Sequence, residues 1–289
     1  MAQLLRFQQM AIIVLVALVT SFVTAKWQAP PQMTQTSVAE AKSPDALDTI
    51  MASKTLRCGY INYPPYFSKD PNTGKESGLM VDVMQAIADK MQVKLEWSYE
   101  TTWTTMFEDM KAGRFDAVCS DVWQNTARAM QADFSTPIVY SVLEAWVRAD
   151  DMRFDGQLAS INSVEVTIPI LDGEAAQQLV KDHFPKVKSI PLLQNAPYGD
   201  VMMNIVTGKA DIAFLEPQVA KDYLQTNPNS LRQVANVPPV AEFPVTIVLP
   251  KNNPRLKTVI DTAIMEIKST PALSMMLDKY GMTGNVIVR

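Results

Sequence analysis

From Leu56 onward the apolar residues of the chain switch repeatedly between a helical and a strand period. Met80, Val83, Met84, Ile87 and Met91 recur at helical spacing, which predicts an amphipathic helix over 79–91. KLEWSYE follows, with Leu95, Trp97 and Tyr99 on alternate positions, the pattern of a strand with one buried face. Upstream, LRCGYI is a short strand that ends in the aromatic and proline cluster Tyr60, Tyr63, Pro64, Pro65, Tyr66 and Phe67. KDPNTGK then reads as a turn between two short extended pieces. A helix over about 104–112 and an apolar strand over 115–119 complete a strand–helix–strand–helix–strand series. That series predicts a layered α/β domain with a parallel sheet.

After Phe134-Ser135-Thr136-Pro137 the segment IVYSVLEAWVR is extended, and the charged turn Arg148-Ala149-Asp150-Asp151 marks the crossing into a second α/β unit. There the strands VEVTIPIL, SIPLL and ADIAFLE alternate with helices over 173–180, 200–206 and 218–224. VTIVLP is a strand expected to return to the first unit, followed by helices over 254–267 and 271–279. The expected division is therefore 54–146 with 245–289 as one lobe and 147–244 as the other. Ahead of these, 26–53 is read as a flexible leader, because its first twenty residues are Pro-, Gln-, Thr-, Ser- and Ala-rich without an apolar period. Residues 1–25 carry one charge, Arg6, an apolar run from Met10 to Val19, and the small-residue sequence Val23-Thr24-Ala25. That combination reads as a signal peptide or N-terminal anchor and predicts export to the periplasm.

Composition narrows the chemistry. A net charge of −4 with no basic block argues against nucleic acid as a partner. No phosphate-cradling glycine loop or zinc-ligand cluster is present, and the single histidine, His183, sits in a helix-end setting that suits an exposed residue. No catalytic constellation, cofactor or metal is therefore expected. Of the 17 methionines, Met80, Met84, Met91, Met106 and Met110 fall where helices need core residues, which favours core filling over a copper site. Cys58 and Cys119 each lie in an apolar strand pattern. Export permits a disulfide between them, but buried free thiols are the favoured reading.

The candidate chemistry clusters at one strand end. Ser120-Asp121-Val122-Trp123 is a polar knot where the strand over 115–119 stops, and in open α/β sheets ligands are met at the carboxyl ends of strands. Arg128, shortly after, can grip a carboxylate through a two-pronged hydrogen bond, or simply cap and salt-bridge its own helix. KAGRFDAVCSD and TGKADIAFLE echo one another. Each runs helix, glycine, basic residue, apolar strand and acid, the acids being Asp121 and Glu216. If the two units face each other, these strand ends point into one cleft.

LRCGYINYPPYF, GLMVDVMQAIADKM, MFEDMKAGRFDAVCSD, Arg128 with Phe134-Ser135, GKADIAFLE and the closing VLPKNNPRLKTVIDTAIMEIKSTPALSMMLDKYG together resemble the periplasmic solute-binding proteins of the polar amino acid uptake class, family 3. The resemblance covers Leu56 to the C-terminus. It implies a two-lobed type II fold with two crossover strands and a ligand cleft that closes by a hinge. It further implies a non-enzymatic monomer that presents a small polar solute to the membrane permease of an ABC transporter. By the same resemblance Tyr63 and Trp103 flank the ligand, Ser120, Asp121 and Trp123 line the strand end, Arg128 takes the α-carboxylate, and Glu216 takes the α-ammonium. The family's Gly-Ser/Thr-Thr turn stands here as Leu171-Asp172-Gly173, and Trp123 is bulkier than usual. The aromatic walls with Asp121, Asp172 and Glu216 imply a basic amino acid or amine. The alternatives are a prephenate/arogenate-type dehydratase with Glu216 as the general acid, and a ligand sensor that has lost transport.

Overall fold

The structure, a computed structural model, describes residues 45–289 apart from Asn195. The signal, the anchor and most of the leader lie outside the described residues. Helix α1 (Ala46–Ser53) opens the described chain, with the Asp45 carboxylate accepting from the Leu47 amide as an N-cap. Leu47 and Ile50 are buried, and Arg255 pairs with Asp48 at 2.8 Å. Residues 46–53 are thus part of the folded body, not the flexible leader expected there. Two apolar side chains three apart are too short a period to read from sequence, yet they anchor the helix once Arg255 is beside it.

The elements of the first α/β unit follow in the expected order. Strand β1 (Thr55–Tyr60) leads to the small hairpin β2 (Ser68–Lys69) and β3 (Glu76–Ser77), then to helix α2 (Leu79–Met91) and strand β4 (Lys94–Glu100). Helix α3 (Met106–Lys111), strand β5 (Ala117–Trp123), the single turn α4 (Thr126–Ala129) and β6 (Asp133–Phe134) follow. β1 pairs in parallel with both β4 and β5. The five helix methionines named above are all buried.

Two findings change the sequence reading. The polar knot does not leave the strand: β5 runs on through Trp123 with all seven residues buried. A returning strand pairs antiparallel there, matching Val245 to Trp123 and Thr246 to Val122, and the Thr246 hydroxyl donates to the Val122 carbonyl at 2.7 Å. A backbone so paired has no reason to turn. Second, Cys58 and Cys119 are joined in a disulfide, so the favoured free-thiol reading is corrected. Both side chains are buried between adjacent parallel strands with Cα atoms 5.5 Å apart, inside the span a disulfide bridges.

Strand β7 (Val139–Arg148) leaves the first lobe. Beyond it lie β8 (Thr167–Leu171), α5 (Ala175–His183), β9 (Lys188–Leu192), α6 (Tyr198–Val206), β10 (Ile212–Leu215), α7 (Pro217–Thr226) and β11 (Leu231–Gln233). Strand β12 (Ala241–Leu249) returns, and α8 (Pro254–Lys268), α9 (Ala272–Lys279) and β13 (Val286–Ile287) finish the chain. The two long strands tie the lobes. β7 pairs with β12 over Val139–Leu143, and its far half, Glu144–Arg148, pairs with β10 and β11. β12 in turn joins β5, giving one nine-stranded sheet ordered β10-β7-β12-β5-β1-β4 along its main path. This is the two-lobed type II architecture with two crossover strands. On the outer side, β13 pairs with β7 at Tyr140 and Ser141, and Asn285 bonds both Gln218 and Lys221 of α7. Among the described residues, no helix is long and apolar enough to cross a membrane.

Candidate functional site

β5, the loop after β1 and the start of α3 bring first-lobe side chains to the seam. The turn after β8 and the start of α6 bring second-lobe side chains to meet them. Tyr63, Trp103, Asp121, Trp123, Arg128, Glu174 and Tyr198 line one central cavity. Its free space is about 10 Å³ for the centre of a water-sized sphere, room for a single water. A groove of about 770 Å³ shares Trp103 and Tyr198 with it and has Glu100 and Asp222 among its lining residues.

Arg128 is set by its own short helix, whose N-cap Asn125 accepts from the Arg128 amide at 2.9 Å. Its guanidinium donates to the Trp123 carbonyl at 2.9 Å and across the seam to the Gly173 carbonyl at 3.2 Å, and lies 5.7 Å from the Trp103 ring centroid. Gly173 has φ +80, and a Cβ on it would lie 2.5 Å from Thr104 Cγ2, so a glycine is required for the lobes to meet here. Tyr63 donates across the seam to Glu216, which also accepts from Ser141, and Thr102 and Thr104 both donate to Gln194. Tyr63 packs against Tyr198 with ring centroids 4.5 Å apart.

The predicted residues divide. Tyr63, Trp103, Asp121, Trp123 and Arg128 reach the cavity. Gly173 reaches it only through the carbonyl that Arg128 holds. Glu216 stands behind Tyr63, and its charge hinders the ionisation of Asp121, the other echoed acid. Ser120 does not line the cavity: its hydroxyl is buried between β5 and the Ile61 backbone, accepting from the Ile61 amide at 2.7 Å. Asp172 does not line it either, because the turn directs it outward to solvent beside Gln177. Glu174 and Tyr198 were not singled out from sequence. Glu174 is the N-cap residue of α5 but makes no capping bond, so its carboxylate is left to accept from the Tyr198 hydroxyl. The signal available was its place immediately after the Leu171-Asp172-Gly173 turn.

Burial dominates the electrostatics. It pushes the Glu174 carboxyl up to about 7, aided by the charge of Glu216 and opposed by Tyr198 and Arg128. Burial likewise holds Asp121 well above the usual carboxylate range, with Glu216 adding to the effect. Glu216 is raised too, by burial against the bonds from Ser141, Tyr63 and Tyr66. Glu174 and Asp121 thus both bear on Arg128, which among the described residues is the one cationic side chain lining the cavity, while Glu216 stands apart, held by Tyr63 and Ser141. Among the described residues, no group of three or more His, Cys, Asp or Glu is placed to hold a metal ion.

A probable amino-acid ABC transporter-binding protein of Haemophilus influenzae is 25% identical over 191 residues, 65% of this chain and 70% of that protein. A cyclohexadienyl dehydratase of Pseudomonas aeruginosa is 28% identical over 168 residues, 57% of this chain and 60% of that enzyme. Among solved structures, an ancestral amino acid-binding protein described as a precursor of cyclohexadienyl dehydratase superposes with a TM-score of 0.72 at 24% identity, over 82% of this chain and 99% of that one. The pattern of bacterial extracellular solute-binding proteins, family 3, is matched over residues 56–283. With that match on the two-lobed frame and its central cavity, the chain belongs to the bacterial extracellular solute-binding proteins, family 3.

Proposed function

We propose that this protein is the periplasmic capture component of an ABC-type uptake system and binds a small zwitterionic or cationic solute, such as a basic amino acid or related amine. The observation that carries the reading is the enclosed cluster of Asp121, Glu174 and Arg128 inside a box of Tyr63, Trp103, Trp123 and Tyr198, with Glu216 directly behind it. Aromatic faces and surplus carboxylates favour a positive group, each close contact contributing about 1 kcal/mol when exposed and about 2 when dry. The amino-acid class is supported by the description of the Haemophilus relative.

On this reading the lobes, 54–146 with 245–289 and 147–244, part about β7 and β12 to admit the ligand, then close over it. The central cavity as it stands holds about one water, so an amino acid enters only when the seam opens. The closed monomer is the form the membrane permease meets. Calorimetric titration of protein freed of ligand by unfolding and refolding, against the twenty L-amino acids and a set of amines, tests it. The expected result is saturable binding of a basic member, and silence across the whole panel defeats the reading.

One observation favours a second reading, a dehydratase on the same scaffold. Glu174 lines the cavity, and its carboxyl, pushed up to about 7, stays protonated in a large fraction at neutral pH. It, rather than Glu216, is the acid placed to give a proton to a leaving hydroxyl of prephenate or arogenate. Loss of that hydroxyl as water, with departure of carbon dioxide, leaves an aromatic ring. Absorbance of an aromatic product that disappears in Glu174→Gln is the outcome that would raise this reading above the first.

A further inference from the structure

The polar groups at the seam can be taken one at a time. Both terminal nitrogens of Arg128 are held by carbonyls, Trp123 on one side and Gly173 on the other. Glu216 accepts from Tyr63 and Ser141, and Glu174 accepts from Tyr198. The two charges expected to grip an amino acid, Arg128 and Glu216, are therefore already partnered by the protein. Two cavity-lining atoms are not: Asp121 Oδ1 and Trp123 Nε1 are buried with no hydrogen-bond partner. Their residues are 1% and 5% exposed, so solvent at the surface does not serve them. A buried polar atom without a partner destabilises by roughly 1–3 kcal/mol, and native proteins rarely keep two side by side without use.

Their placement specifies the complement. Asp121 and Trp123 are two positions apart on β5, so both side chains leave the same face of the strand, their Cα atoms about 6–7 Å apart. The indole N–H can only donate, so it calls for an acceptor on the ligand. The Asp121 oxygen, amid other carboxyl groups, calls for a cationic donor. Two hydrogen bonds of about 2.9 Å reaching inward from anchors so spaced converge on neighbouring groups of one small molecule.

Resting on the solute-binding reading, we propose that Asp121 and Trp123 are the specificity-determining pair of the site. The Asp121 carboxylate takes the ligand's ammonium, and the Trp123 indole N–H donates to the ligand's carboxylate. Arg128 and Glu216 are positioning residues that draw the second lobe onto the first, through Gly173 and Tyr63. The ligand class is an α-amino acid with both groups free, and a decarboxylated amine satisfies only half of the pair.

The test is calorimetric titration with two probes, the tightest-binding of the twenty L-amino acids and that same compound as its decarboxylated amine. Wild type, Trp123→Phe and Asp121→Asn are compared. Phenylalanine keeps the ring stacked on Phe243, now 4.6 Å away, and asparagine keeps the shape of aspartate, so thermal melting shows whether each variant is folded. Trp123→Phe is expected to weaken the amino acid about ten- to hundred-fold, as loss of a bond to a charged group does, and to weaken the amine at least several-fold less, by no more than the change of one aromatic wall. Asp121→Asn is expected to weaken both by tenfold or more. The proposal is overturned if Trp123→Phe affects amino acid and amine alike or neither. Wild type binding amines as tightly as amino acids also overturns it. Silence of the wild type toward every probe defeats the solute-binding reading itself, a different failure.

Discussion

Replacing Glu174 with glutamine should make the protein more stable, and only above acidic pH. In the folded chain burial lifts this carboxyl from 4.5 to about 7. At about 1.4 kcal/mol per tenfold change in proton affinity, that corresponds to ~3 kcal/mol, an upper figure for a site beside a seam that opens. A raised carboxyl binds its proton more tightly in the folded state than in the unfolded one. Its contribution is therefore fully present below the unfolded value of 4.5 and is lost as pH rises through about 7. Glutamine stays neutral throughout, so wild type and Glu174→Gln should melt together near pH 4 and diverge between pH 4.5 and 7. Above that range the variant should sit higher by up to about 6–12 °C, taking 2–4 °C per kcal/mol for a body of this size. Melting curves of both proteins at four pH values measure this. The titrations of Asp121 and Glu216 are common to both and largely cancel in the difference. A difference in melting temperature that does not change with pH would refute the burial argument for Glu174.

The remaining expectations are of different kinds. Cys58→Ser with Cys119→Ser opens a loop of sequence separation 61, which in the chain-entropy treatment lowers stability by about 4 kcal/mol, readable as a shifted urea midpoint beside the oxidised protein. Gly173→Ala places a Cβ against Thr104 at the seam in a left-handed backbone. It should weaken every ligand while raising the radius of gyration in small-angle scattering, and unchanged affinity and radius would contradict the seam contact. Because burial and Glu216 hold Asp121 well above the usual range, a bound ammonium should ionise it and release a proton. The apparent binding enthalpy at one pH should then differ between phosphate and Tris, and the difference should vanish in Asp121→Asn.

The order of elements was legible because each lobe is built from strong local periods. Helix α2 (Leu79–Met91) appears at the bounds its methionine, valine and isoleucine spacing implies, and the strand KLEWSYE coincides with β4. What escaped was set by partners distant in sequence. Helix α1 (Ala46–Ser53) is held by Asn253 and Arg255, some two hundred residues away, so its own eight residues look like leader. The extension of β5 through Trp123 depends on β12, and the disulfide depends on two strands lying side by side. At the site, Asp121, Trp123 and Arg128 stand out at a strand end, while Tyr63 and Trp103 follow from the family resemblance. Asp172 is named from the sequence and Glu174 is not, because a turn's sequence does not say which of its acids faces inward.

The outer face of α7 (Pro217–Thr226) holds a consequence for the chain's last residues. This helix begins directly after Glu216, which is bonded to Tyr63 across the seam, while its Gln218 and Lys221 are held by Asn285 on the opposite side. It is gripped like a see-saw, with the cleft pulling on one end and the tail on the flank. On the proposed reading, in which the lobes part, widening the front of the cleft would tilt the beam against Asn285, and the tail would act as a counterweight on how readily they separate. A chain cut short before Asn285 would keep every residue of the cavity, and if it captures a solute as proposed, the rates of capture and release are what should change.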